Sequence, residues 1–358
     1  MADFTTNLVT KTSGVEYLVG QTVDTVLNYS PATLFFLGKQ KKWQGTQMRF
    51  PIKYATNSQG MNFDGLQKFS TTRTDQFTYG YFSPTGYSQP CIISQMEVDV
   101  SETNNRIPII ARQLASDAQD MASAIATQFY TLQTGIAFNS LTDICDDGTI
   151  GATLWGGISR TTYSGTKGNY TNINGNLTLA NLRTAYNLTI HGPESPNLIL
   201  TSKAIFGYYE KLANPTLVHN APTMNPYASF VGAGKNGLPN LVSAGPGMAA
   251  NMGFRALYWE GVPVIADEVV PSGYLYMLNT NSIAFYGVAS TDPDYKPVKF
   301  YSDTMDSVYN VPATSGFSFS GFNKPIDQYA KVGHIILAGN LIGKNPRLNG
   351  VLINVTGA

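Results

Sequence analysis

The chain is 358 residues long, enough for one large or two ordinary domains with a real core, and only 13% of it is charged, against roughly 25% in an average soluble protein. Its 23 lysines and arginines balance 23 aspartates and glutamates, which excludes the net positive field that draws a protein onto nucleic acid or anionic lipid. Cys91 and Cys145 are too few and too far apart for a disulfide framework or a zinc cluster, no apolar run approaches the roughly 20 residues of a membrane span, and the polar start MADFTTNLVTKTSGVEY carries no export signal; a soluble protein of a reducing cytoplasm is expected.

Residues 1–42 read as a polar arm with short apolar runs. Pro31 is expected to break any helix there, and the LFFL that follows needs burial against another element. From Met48 the sequence alternates: Met48, Phe50, Ile52 and Tyr54 share one face, Gln47, Arg49, Pro51 and Lys53 the other. Phe77, Tyr79 and Tyr81 form a second alternating run. The intervening ATNSQGMNFDGLQKFSTTRTD is polar, too long for a tight turn and too poor in apolar residues to hold a core. A long protruding hairpin over 43–90 is predicted. Two strands alone are marginal in water, so its apolar residues, Met48, Phe50, Ile52, Tyr54, Phe77, Tyr79 and Tyr81, are the candidate contacts to a neighbouring subunit.

Next, Ile107, Ile110, Leu114, Ala118, Met121, Ile125, Phe129 and Leu132 recur at steps of three and four, the stripe of an amphipathic helix. Asn105 is its expected cap, Pro108 suits the first turn and Gly135 the stop. From Pro108 to Thr134 it would run about 40 Å. A compact α/β pattern follows a Gly-rich stretch. Thr178 caps a helix carrying Leu179, Leu182 and Tyr186, NLILT reads as a buried strand, and Ser202 caps a second helix, KAIFGYYEKL. Residues 256–287, rich in Tyr, Val and Leu, supply two strands split by VVPSG, and 329–355 returns to strand.

Catalytic motifs fail on inspection. His191, His219 and His334 lie far apart, outside any nucleophile elbow or His-Glu-x-x-His pattern. GAGKNG at 232–237 has Ser229 where a phosphate loop has its first glycine, and Asn236 where it has Ser or Thr; GPGMAANMG spaces its glycines wrongly for a dinucleotide turn. Asp143, Asp146 and Asp147 lack the alternating ligands of a calcium loop. The run Lys39, Lys41, Lys42 beside Trp43 reads as a solvated face. Asp267 and Glu268 are adjacent and would point to opposite faces of a strand. No catalytic residue, metal or cofactor is expected.

The order of elements, with the phrases YSPATLFFL, FPIKYATNSQG, GGISRTTY, SPNLILTSKAIFGYYEKL, GVPVIADEVVPSGYLYMLN and GNLIGKNPRLNGVLINV, resembles the major capsid proteins of tailed double-stranded-DNA bacteriophages over nearly all of residues 20–356. The resemblance implies an α+β, HK97-like capsid fold. Its parts would be an N-terminal arm (1–42), an extended β-hairpin or E-loop (43–90), a peripheral domain (91–165 and 290–358) with a long spine helix (108–134), and an axial α/β domain (166–289). It also implies a structural, non-enzymatic subunit that assembles as pentamers and hexamers into an icosahedral shell, in the bacterial cytoplasm, and encloses DNA without sequence-specific binding. Implied partners are a portal, decoration proteins and, because the N-terminus is short and sparsely charged, a separate scaffolding protein. Two other expectations compete: an encapsulin-like nanocompartment shell, and a β-rich carbohydrate-binding or hydrolytic protein with paired carboxylates.

Overall fold

The computed structural model of the chain describes residues 30–104, 109–217, 256–288, 296–297 and 317–356. Asn105, Ile107, Pro108, His219, the GAGKNG and GPGMAANMG stretches and the arm before Ser30 lie outside the described residues.

Pro31 begins a helix rather than breaking one. It is the first residue of α1 (Pro31–Gly38), where its missing N–H has no helical partner to lose, and the Ser30 hydroxyl caps the turn by accepting from Thr33 N. Phe35, Phe36 and Leu37 of the LFFL run are buried as expected, with Phe36 edge-on to Phe129 at 6.2 Å. After the short β1 (Lys41–Lys42), β2 (Met48–Lys53) and β3 (Phe77–Phe82) pair antiparallel as a two-stranded hairpin. The chain then turns into β4 (Thr85–Ser94), which passes directly into a helix that the pattern did not suggest, α2 (Gln95–Asn104).

The long helix, α3, spans Ile109–Tyr130, and of its stripe Ala118, Met121, Ile125 and Phe129 are buried with Leu114 packed beside them. It stops four residues short of Thr134 because the next helix, α4 (Leu141–Cys145), captures its end. The Thr142 hydroxyl donates to the Tyr130 carbonyl at 2.6 Å, and the Asp143 carboxylate accepts from Gln133 N. Two small pairing strands, β5 (Leu154–Trp155) and β6 (Ile158–Ser159), precede β7 (Asn169–Asn176).

Thr178 caps α5 (Leu179–Thr189) through Asn181 N, as the pattern required, while Leu179 itself is exposed. β8 (Leu198–Thr201) leads to α6 (Lys203–Leu217), where buried Ser202 sits at the cap position without its hydroxyl making a bond. The 256–287 stretch holds four strands instead of two: β9 (Ala256–Trp259), β10 (Val262–Ala266), β11 (Leu275–Leu278) and β12 (Ile283–Gly287). β13 (Lys296–Pro297), β14 (Phe317–Phe319), β15 (Ala330–Gly343) and β16 (Gly350–Thr356) complete the described elements.

Two six-stranded sheets result. One runs β1-β12-β15-β14-β13, with β4 also paired to β15; the other runs β7-β16-β11-β8-β10-β9. These pairings redraw the expected division of the chain. Residues 283–287 join β15 in the first sheet, 350–356 join β7 and β11 in the second, and 85–94 pair with β15, so the hairpin ends near Phe82 instead of 90. The second sheet separates two cores by strand alternation: Ile199, Leu275 and Met277 face α5 and α6, whereas Leu198, Leu200, Tyr276 and Leu278 face α1, α3 and the first sheet. This divides the aromatics of the 256–287 stretch. Tyr276 is in the central core, Trp259 packs beside the α5–α6 core and Tyr258 is exposed.

Candidate assembly surface

The hairpin register places Met48 opposite Phe82, Phe50 opposite Gly80 and Ile52 opposite Thr78, all on one face; Arg49 opposite Tyr81, Pro51 opposite Tyr79 and Lys53 opposite Phe77 form the other. The seven candidate contact residues therefore do not act together. Met48, Phe50 and Ile52 pack on Trp43, Phe82, Trp155, Ile158 and Tyr286 of the same chain, and Tyr54 lies 4.9 Å from Tyr163. The base of the first sheet and the β5–β6 turn thus supply part of the cover expected from a neighbour, and Met48, Phe50, Ile52 and Tyr54 remain partly exposed. Phe77, Tyr79 and Tyr81 stay exposed on the outer face, interleaved with Arg49 and Lys53.

The hairpin base is fixed by close backbone approach. Tyr81 N donates to Gly156 O at 3.0 Å and Trp155 Nε1 to Gly343 O at 2.9 Å. Gly157, at φ +75°, would bring an added Cβ to 2.2 Å from the Tyr81 ring, so only glycine fits.

Beyond the paired strands, residues 55–76 form an extended tip that carries Met61, Phe63, Leu66 and Phe69 in the open; Leu66 is 97% exposed. Phe63 and Phe69 meet edge-on at 5.0 Å, and the Ser70 hydroxyl donates to Gln59 Oε1 at 2.6 Å across the two arms. Reading the tip as simply polar missed this cluster. The signal was in MNFDGLQKF, four large apolar residues within nine, diluted below the density that marks a core.

The remaining candidates have structural partners. Asp146 accepts four backbone N–H groups, from Thr149, Ile150, Gly151 and Ala152, and Asp143 closes a capping box with Ser140. Buried Arg160 ties the two together by donating to the Asp143 and Asp146 carbonyls. Burial alone would raise the Asp146 pKa, but the backbone donors together hold it below the ordinary carboxylate range. His191 is half-buried in a bridge to Glu194, and His334 is exposed on β15 with Nδ1 3.4 Å from the Ser88 hydroxyl. Lys41 and Lys42 are exposed on the edge strand β1. Asp267 is fully buried, whereas Glu268 is at the surface in an ion pair with Lys203 at 2.9 Å. Among the described residues no group of three His, Cys, Asp or Glu side chains is placed to hold a metal ion, and no helix is long and apolar enough to cross a membrane.

No family model and no curated protein matches the sequence. Solved structures do match it along its whole length. A subunit of the cyanophage A-1(L) capsid superposes with TM-score 0.68 at 15% identity, covering 98% of this chain and 99% of that one. The capsid of a native GTA particle gives 0.57 at 13%, over 96% of each chain. The SrpI encapsulin of Synechococcus elongatus PCC 7942 gives 0.57 at 11%, over 98% of this chain and 96% of that one. The α+β, HK97-like capsid fold implied by the sequence resemblance is the fold of this chain.

Proposed function

We propose that the chain is a major capsid protein of a tailed double-stranded-DNA phage, a structural subunit without enzymatic activity that builds an icosahedral shell in the bacterial cytoplasm and remains in the virion. The observation that carries the reading is the end-to-end superposition on the cyanophage capsid subunit, 98% of one chain on 99% of the other. Its chemistry agrees. The buried carboxylate Asp267 is bonded by Ser30 and Tyr130 in a closed core, so the adjacent pair Asp267 and Glu268 offers no shared cleft for sugar hydrolysis. Portal, decoration and scaffolding proteins belong to the same proposal. The hairpin, which projects from the subunit body with three aromatics on its outer face and four apolar residues at its tip, is proposed to lie over a neighbouring subunit and lock the shell. The encapsulin superposition favours a second reading, a shell that packages enzymes. Negative-stain microscopy of the expressed protein tests both. Uniform polyhedral shells are expected; a stable monomer with affinity for sugars would overturn the shell readings. Co-purification of an enzyme bound inside the shells would select the second.

A further inference from the structure

A groove of about 570 Å³ opens at the foot of the hairpin, between β3 and the loops 131–139 and 151–157. That volume lies within the range of about 300–1,000 Å³ in which proteins hold small molecules. Its walls carry two aromatic rings, Tyr81 and Trp155, and three aliphatic side chains, Leu132, Ile136 and Leu154; Ile136 is 86% exposed and Leu154 59%. The aromatic side is preformed. Trp155 is fixed by its Nε1 bond to Gly343 O, and the Tyr81 ring lies against Gly157, where an added Cβ would strike it.

The polar part of the wall selects the occupant. Arg160 lines the groove at 1% exposure. Its two terminal nitrogens donate to the Asp143 and Asp146 carbonyls, but its Nε–H, equally shut off from water, has no acceptor. A buried donor without a partner is costly, and an oxygen brought to it removes that cost. Asp143 stands in the same wall, its carboxylate accepting from Ser140 N, the Ser140 hydroxyl and Gln133 N. A cation in the groove would face Arg160 and an anion would face Asp143, so a charge of either sign gains little there. An uncharged body with one acceptor oxygen suits both walls. We infer that the groove binds a small, uncharged, planar aromatic ketone or amide, its rings against Trp155, Leu154 and Ile136 and its carbonyl oxygen accepting from Arg160 Nε. Tyr81 belongs to the hairpin while Ile136, Leu154 and Arg160 belong to the body, so a bound molecule joins the two. The inference goes beyond the shell reading and does not depend on it.

The dye prodan, an uncharged naphthalene ketone whose emission moves to the blue when it leaves water, tests it on unassembled subunits of the full chain. Titration should reveal one saturable site. Leu154→Asp and Ile136→Asp, each at an exposed position of the rim, should weaken binding at least about tenfold; the second serves if the first does not fold. Leu66→Asp, in the exposed apolar tip cluster, should leave it unchanged. The same naphthylamine without its ketone should bind about tenfold more weakly, the loss of one hydrogen bond to a charged donor. Absence of saturable binding, full affinity in the rim variants, or loss of binding in Leu66→Asp instead would overturn the site. Equal affinity for the two dyes would overturn the part given to Arg160.

Discussion

Asp267 shows at the residue scale how distant parts of the chain are tied together. Its Oδ2 accepts from the Ser30 hydroxyl at 2.5 Å and the Tyr130 hydroxyl at 2.6 Å, and Oδ1 from Val269 N at 3.0 Å, so one carboxylate joins the start of α1, the end of α3 and the end of β10. Asp267→Ala leaves two buried hydroxyls without an acceptor and should cost about 2–5 kcal/mol; Asp267→Asn, which keeps an acceptor, should cost less. Urea unfolding of the subunit measures both, and an alanine variant as stable as the parent would show that the knot is dispensable. The two thiols give a pH-dependent counterpart. Burial pushes Cys91 up to about 12, with Asp117 adding to the shift, and burial also raises Cys145. The unfolded chain releases these protons near pH 8.5, so the folded state binds them more tightly. Their stabilisation is complete below about pH 8.5 and is lost as pH rises toward the folded values. Native protein at pH 8 should therefore stay dark to a thiol-reactive dye until denaturant is added, and its unfolding midpoint should fall between pH 8 and 10, by less in Cys91→Ala.

At the scale of elements, the parts most legible in the sequence were those whose pattern is local. Alternation from Met48 set β2 and its inward face, three-and-four spacing set α3, and Thr178 set the start of α5. The misreadings came from information held elsewhere in the fold. Pro31 looked like a breaker because its role depends on Ser30 preceding it as a cap. The end of α3 moved because Thr142 and Asp143, a dozen residues later, capture its last groups. β12 and β16 changed sheets because pairing partners, unlike burial, leave no period in a single strand. The inner face of the hairpin was incompletely legible for the same reason: alternation says that Met48 and Phe50 share a face, not that Trp155 and Tyr286 of the same chain pack against it. Two changes separate these roles. Met121→Asp places a charge at a fully buried position of α3, costs several kcal/mol, and should leave the protein insoluble; soluble, assembly-competent mutant would mean the stripe is misplaced. Replacing residues 56–74 by a tight Asn-Gly turn removes only exposed or partly exposed side chains, so the subunit should fold and stay soluble. Its shells should fail to form or break under heat and osmotic challenge, and shells as robust as the parent's would refute the lock.

For the whole molecule, the balance of 23 basic and 23 acidic residues bears on which forces would hold copies together in the proposed shell. Among the described residues the ion pairs within the subunit are Arg183 with Glu260 and Lys203 with Glu268, both at the surface, where such pairs contribute little. Beside its exposed charges the surface offers apolar groups: the tip cluster, Phe77 and Tyr79, Ile136 and Leu154. Contacts of this kind are individually modest, but a closed shell repeats each of them many times and holds every subunit by several at once. Their salt response differs from that of charge-driven assembly. Raising NaCl from about 0.1 M to about 1 M shrinks the screening length from about 10 Å to about 3 Å, which weakens exposed ion pairs and leaves hydrophobic burial intact. The subunit concentration at which shells appear, followed by light scattering, should therefore stay level or fall across that range, and sulfate, which strengthens apolar burial, should lower it further. The same balance bears on polyanions. A strongly basic protein is held to them by counterion release with a steep salt dependence; this chain has no net positive charge, so the purified protein should not be retained on a heparin column even at low salt. An assembly threshold that rises tenfold with NaCl, or tight retention on heparin, would mean that clustered charge governs the shell despite the balanced total.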